Sequence, residues 1–305
     1  MKQLQINHLT FSIMNKKRII KSVLILCLLA LPLSTMADDF LRGDVNQDDK
    51  VNISDVTCLI DYLLSDRWPD DPSQVRSFTA NGVTFRMMAV QGGTFSMGAT
   101  EEQSGALSNE KPAHQVTLSS YYMGETEVTQ ELWLAVMGSN PSGFKGDLQR
   151  PVERVSWYDC QTFISQLNAL TGQHFRLPSE AEWEFAARGG NQAHGFQYSG
   201  NSNIDIVAWY KDNSNSQTHS VASKLANELG LYDMSGNVWE WCQDWYDANY
   251  YSNSPSNNPT GPESGSERVS HGGAFNCAAT SCRVSLRGAC TPAYTSYSIG
   301  LRLAL

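Results

Sequence analysis

Two thiols stand in one short stretch, His271–Cys282 (HGGAFNCAATSC), behind the turn Gly272-Gly273. Cys277 and Cys282 are too far apart in sequence for a tight Cys-x-x-Cys turn. They are close enough for both sulfurs to reach one point if the loop doubles back. Two thiolates at one point suit a soft, low-coordinate metal such as Cu(I), or a labile disulfide. An ordinary structural disulfide, or two buried thiols, is the plainer reading of the same spacing. A second candidate is Gly230–Trp245 (GLYDMSGNVWEWCQDW). Asp233 and Glu240, with carbonyls of a turn at Ser235-Gly236-Asn237, could cage a hard cation through oxygen. The competing reading is a capped turn among buried tryptophans. A third lies near the N-terminus, where Asp44, Asn46, Asp48, Asn52 and Asp55 fall at positions 1, 3, 5, 9 and 12 of a loop. The Lys50 carbonyl falls at position 7. This is EF-hand spacing, with Asp in place of the final Glu and Asp49 where a glycine usually makes the turn.

These groups need elements to position them. After the acidic loop, Val56, Leu59, Ile60, Leu63 and Leu64 share one helix face. The segment 67–77, with Pro69, Pro72 and several Asp, reads as a linker to a larger domain over 78–305. There the pattern predicts strands at Val83–Val90, Thr94–Met97 and Gln115–Met123. It predicts helices over Glu127–Met137, Ser156–Leu170 and Pro178–Arg188. Ser156 with Asp159, and Ser179 with Glu182, are capping signals; Gly172 and Gly189 are stops. Trp157, Cys160, Phe163, Ile164, Leu167 and Leu170 form an apolar stripe. Beyond Gly190 the chain turns loop-rich, with Asn, Ser, Gly and Pro prominent. Arg283, Arg287 and Arg302 either orient carboxylates or make buried ion pairs.

The first 37 residues read as a secretory signal: a basic stretch from Asn15 to Lys21, an apolar core at Val23–Leu31, and a small residue at Ala37. That core is too short to span a bilayer, and no second stretch is longer. The expected location is therefore secreted or periplasmic. The whole chain has a net charge of −9. Without the five basic residues of the signal, 17 bases stand against 31 acids, a balance of −14. That argues against nucleic acid or an anionic membrane surface as partner. Six cysteines remain, and their pairing does not follow from sequence.

The large domain resembles the formylglycine-generating enzymes, the sulfatase-modifying factors. The matching stretches are Gly92–Gly98, Glu110–His114, Glu127–Thr129, Pro151-Val152 with Val155–Trp157, Arg176–Glu184, Ala187–Gly190, Gly230–Trp245, Asn258–Pro262, Gly272-Gly273 and Gly300–Arg302. The resemblance implies a loop-rich α+β fold related to C-type lectins. It implies that Cys277 and Cys282 are catalytic and hold copper. It also implies calcium at Asp233, Gly236, Val238 and Glu240, and a second calcium near Asn203, Ile204, Asn213 and Asn215. Ala274 and Phe275 stand where the enzymes carry a serine and a tyrosine. The implied reaction converts a sulfatase cysteine, in a Cys-x-Pro-x-Arg peptide, to formylglycine with copper and dioxygen. The alternative is a non-catalytic binding module of the same fold. The loop at Asp44–Asp55 resembles one repeat of a dockerin, which implies a cohesin-like partner.

Overall fold

The computed structural model describes residues 75–305. The expected signal, the calcium loop with Asp44, Asn46, Asp48, Lys50, Asn52 and Asp55, its helix, and most of the linker lie outside the described residues. Ser73–Leu305 is a unit by itself. The linker expectation is corrected at its end. Val75–Ala80 is a strand, β1, paired antiparallel with β2, Val83–Val90. Asn81 and Gly82, both left-handed, turn between them, as a two-residue hairpin requires. Phe78 and Phe85 stack across the pair, 5.9 Å between centroids, and Phe175 packs edge-on against Phe78 at 5.1 Å.

The strand expected over Gln115–Met123 is two strands in two sheets. β3 (Gly93–Met97) pairs with β4 (His114–Leu118), whereas β5 (Tyr121–Gly124) joins the far side of β2. The reason is phase. Val116 and Leu118 are buried at even positions, Tyr121 and Met123 at odd ones. A single strand would turn one of those pairs outward.

The helices begin and end at their caps. α1 (Gln130–Met137) starts at Thr129, whose hydroxyl accepts the Leu132 amide, and stops at a left-handed Gly138. Glu127 and Val128, expected inside this helix, precede it. The Val128 amide donates to the Leu301 carbonyl, and its own carbonyl accepts from Val152. α2 (Trp157–Thr171) and α3 (Glu180–Ala187) carry the predicted Ser156/Asp159 and Ser179/Glu182 capping boxes. The stripe of α2 is buried except Leu170, which is 47% exposed where the helix outruns the core. α4 is one turn, Ile204–Val207.

The loop-rich half hides a third sheet. β6 (Trp239–Trp245), β7 (Arg268–His271), β8 (Gly288–Cys290) and β9 (Ile299–Leu301) lie in the order β8-β7-β6-β9. Only β6 and β9 run parallel. Helices and strands are thus mixed around long connections.

Ser156→Ala removes the reciprocal cap of α2 and is expected to lower stability by about 1 kcal/mol. A urea midpoint shift at constant slope measures it.

Candidate functional site

β7 delivers the chain into the thiol loop. Gly272 and Gly273 both take left-handed φ, +94° and +73°. A Cβ at Gly273 would stand 2.7 Å from Cys282 Sγ. The double glycine is therefore what lets the loop fold onto its own second thiol. A 3-10 turn, Ala279–Cys282, completes the reversal. Neighbours hold it from outside: the Phe275 amide donates to the Asn237 carbonyl at 2.9 Å, and the Lys211 amide to the Cys277 carbonyl at 3.0 Å. Ser235 Oγ donates to the Cys282 carbonyl at 2.8 Å.

The two sulfurs differ in access. Cys282 is fully buried beside Tyr198, Ile204, Val207 and Tyr210. Cys277 is partly exposed, and both are free thiols. Cys290 on β8 is also free, so no disulfide ties up either member of the pair. Burial pushes the Cys282 thiol well up, and neighbouring Cys277 adds to the shift. Burial also raises the Cys277 thiol, partly offset by hydrogen bonds with the Trp239 side chain and the Ala274 backbone. Cys277 is near enough to act on the Cys282 thiol, so the loop brings the two into one locale. Without metal, both are protonated at neutral pH. Among the described residues, no group of three or more His, Cys, Asp or Glu is gathered as for a metal. The locale thus offers two sulfurs and no competing hard ligands, a donor set that fits Cu(I).

The Gly230–Trp245 segment is arranged differently from its expectation. Asp233, at φ +58°, accepts the Ala222 amide on Oδ2 at 2.7 Å, while its buried Oδ1 has no partner. Gly236 has φ +87°, and a Cβ there would collide with the Trp209 carbonyl. The Val238 amide donates to Glu127 Oε1 at 3.0 Å. Glu240 does not face an open cage. Arg302 Nη2 reaches its Oε1 at 2.7 Å, and Trp183 Nε1 its Oε2 at 2.6 Å. Sequence reasoning missed Glu127, which also accepts from Asn237 Nδ2 at 2.8 Å. Burial, then the charges of Asp233 and Glu240, push its carboxyl well up. The segment therefore fits a hard cation at its Asp233 end, while Glu240 is committed to Arg302.

Around the expected second calcium site the amides are engaged. Asn203 Oδ1 caps α4 through the Asp205 amide. Asn213 Oδ1 accepts from Tyr210 and its Nδ2 donates to the Ala208 carbonyl. The Ile204 carbonyl accepts the Ala208 amide. Asn215 is left-handed, φ +55°.

The three arginines make buried ion pairs: Arg283 with Glu110 at 2.6 Å, Arg287 with Glu180 at 2.6 Å, and Arg302 with Glu240 at 2.7 Å. Glu180 also takes a hydrogen bond from His271, the residue that opens the thiol loop, at 3.1 Å. Burial alone would raise the Glu180 carboxyl. The charge of Arg287 and the bonds from His271 and Arg287 hold it instead at about 2. A folded value below the unfolded one stabilises above the unfolded value and is lost on acidification. About 3 kcal/mol should therefore disappear between about pH 4 and pH 2. Thermal melts across that range should show the slope in the native chain and a flatter one in Glu180→Gln.

The sequence profile of the sulfatase-modifying factor enzyme 1-like domain matches residues 74–305. A chaperone protein LppX from Paenibacillus barcinonensis is 38% identical over 200 residues, covering 47% of this chain and 70% of its own. A formylglycine-generating enzyme from Streptomyces coelicolor is 29% identical over 278 residues, covering 70% and 87%. Among solved structures, Treponema denticola variable protein 1 superposes with a TM-score of 0.68 at 34% identity, covering 75% of this chain and 98% of its own.

Proposed function

The chain belongs to the sulfatase-modifying factor enzyme family, and we propose that it is an oxidising member. On this reading it is a secreted formylglycine-generating oxidase, acting with copper and dioxygen on a cysteine of a sulfatase Cys-x-Pro-x-Arg peptide. The observation that carries the reading is the state of the thiol loop. Cys277 and Cys282 are free, share one doubled-back segment, and differ in access, one sealed and one open.

Cys277 and Cys282 would hold the copper, which when bound supplies redox chemistry with dioxygen that no side chain here can perform. The protein's own contribution is placement. Gly273 allows the close approach of loop and Cys282. The ring of Tyr210 and the aliphatic wall of α4 keep water from the inner thiol. The Trp239 side chain lies against the outer thiol, leaving the open side for a substrate cysteine. Both thiols must give up their protons when a metal binds. Export after Ala37, and a calcium-folded repeat at Asp44–Asp55 offering half of a cohesin-binding surface, belong to the same proposal.

A second reading, a non-catalytic binding module, is favoured by Ala274 and Phe275. Both are buried beside the thiols, and neither offers the hydroxyl that the enzymes place there. Titration of the reduced protein separates the readings. The oxidase should bind one Cu(I) per chain, lose it in Cys277→Ser and in Cys282→Ser, and form aldehyde on a Cys-x-Pro-x-Arg peptide. Absence of both copper and aldehyde assigns the binding module.

Calcium is proposed as a structural ion at Asp233, on the strength of its unpartnered Oδ1. Chelator should lower the melting temperature of the native chain by more than that of Asp233→Asn; an equal response in the two removes the ion at Asp233 from the proposal.

A further inference from the structure

At the opposite end of β7 from the thiol loop stands a cation with no carboxylate in ion-pair contact. The Arg268 guanidinium lies between two indoles, 3.9 Å from the Trp157 ring centre and 3.4 Å from that of Trp245. Its Nη1 donates to the Gln243 carbonyl at 2.6 Å. Its buried Nε has no hydrogen-bond partner, and the charge of Asp244 acts on it without an ion pair, since among the described residues no carboxylate pairs with it directly. Cation–π contacts offset part of the desolvation of such a group. An aliphatic side chain would fill the same slot with no charge to desolvate. The charge therefore does nothing for packing that a neutral side chain could not do.

The surroundings say what the charge faces. Trp157 is fixed by its Nε1 bond to the Cys242 carbonyl at 3.0 Å. Tyr158 sets its ring edge-on to Trp157 at 5.8 Å and remains 56% exposed; after Asp244, it is the group whose charge acts on Arg268. Gln161 follows on the same face of α2, three and four positions on. It donates from Nε2 to Gln243 Oε1 at 3.2 Å. Gln161 and Gln243 open a groove of 550 Å³ that runs on to Ser165 and Asn168. Gln243 thus joins groove and cation, its side chain in one and its carbonyl on the other. Gln161 Oε1, Gln243 Nε2 and the Ser165 hydroxyl make no hydrogen bond to the described residues.

We propose that this surface binds an oligosaccharide carrying a carboxylate, of the uronic acid class. Amide and hydroxyl groups of the groove match sugar hydroxyls, which both donate and accept. The exposed Tyr158 ring suits the apolar face of a sugar. The guanidinium, held by two indoles, takes the carboxylate by charge-assisted hydrogen bonding from Nη2, since Nε is buried and Nη1 is engaged with Gln243. With a net charge of −9, the chain offers an acidic glycan no long-range attraction, so the contact must be local.

The test uses the full chain with trigalacturonate and, as neutral control, maltotriose. Tryptophan fluorescence and calorimetry are the readouts. Trigalacturonate should bind saturably, and maltotriose at least about tenfold more weakly. Arg268→Met should cost about tenfold in trigalacturonate affinity. Tyr158→Ala, at a ring already half outside the fold, should weaken binding without lowering the melting temperature. Cys277→Ser should leave it intact, which separates this site from the oxidase reading. Absence of saturable binding, equal binding of the two sugars, or undiminished binding in both surface variants overturns the proposal.

Discussion

One guanidinium ties the molecule together. Arg302, fully buried just past β9, donates from Nε and Nη2 to Glu240 on β6. It also donates from Nη1 to the carbonyls of Gly124 and Glu125, at the end of β5, and from Nη2 to that of Tyr232. Trp183 brings α3 to the same carboxylate. Two sheets, a helix and the Gly230 segment therefore meet on a single ion pair. Such a pair adds little net stability over apolar residues of similar volume, because both ions are desolvated. Its effect here is orientation, since each donor has one direction and each acceptor sits on a different element. In the β6–β7 register His271 lies opposite Glu240. The thiol loop starts one residue later, so its point of departure is set by this pair.

The far side of the loop is fixed in the same way. Arg283 follows Cys282 directly and is buried against Glu110, with Ser285 Oγ on the same carboxylate at 2.6 Å. His271 before the loop and Arg283 after it are both held by buried carboxylates. A disulfide would hold the loop's ends equally well, but it would consume the sulfurs. Ion pairs anchor the loop and leave its two thiols reduced. That is the physical condition on which either soft-metal chemistry or an inert buried pair can be built.

Local rules were readable from the chain and distant pairings were not. Ser156, Thr129 and Ser179 act within four residues of their partners, so the helix starts could be read or nearly read. The break between β4 and β5 was encoded too, in the switch of buried positions from even to odd, but a window of apolar residues blurs that switch. Glu127 shows the limit. Its neighbours read as a helical stripe, yet its partners Asn237 and Val238 lie 110 and 111 residues away. Likewise Glu110 and Arg283 are 173 apart. The sheet β8-β7-β6-β9 was hidden because three of its strands have three or four residues. Strands so short carry too few alternations to show a period. The thiol pair was found because glycine, spacing and thiol chemistry sit together in one segment.

The pairing of arginines inside has a consequence at the surface. Arg188, Arg283, Arg287 and Arg302 each meet a glutamate with little or no exposure on the arginine. These pairs remove equal numbers of bases and acids from the exterior. The net charge of −9 is therefore spread over fewer exposed charges than composition suggests, and the exterior is more one-sidedly acidic. An acidic exterior favours the approach of a partner carrying arginine and disfavours polyanions. On the proposed oxidase reading, a peptide of the Cys-x-Pro-x-Arg kind would be steered toward such a surface before any contact with the loop. The interior pairs that hold the thiol loop in place thus also shape the field through which a substrate would reach it.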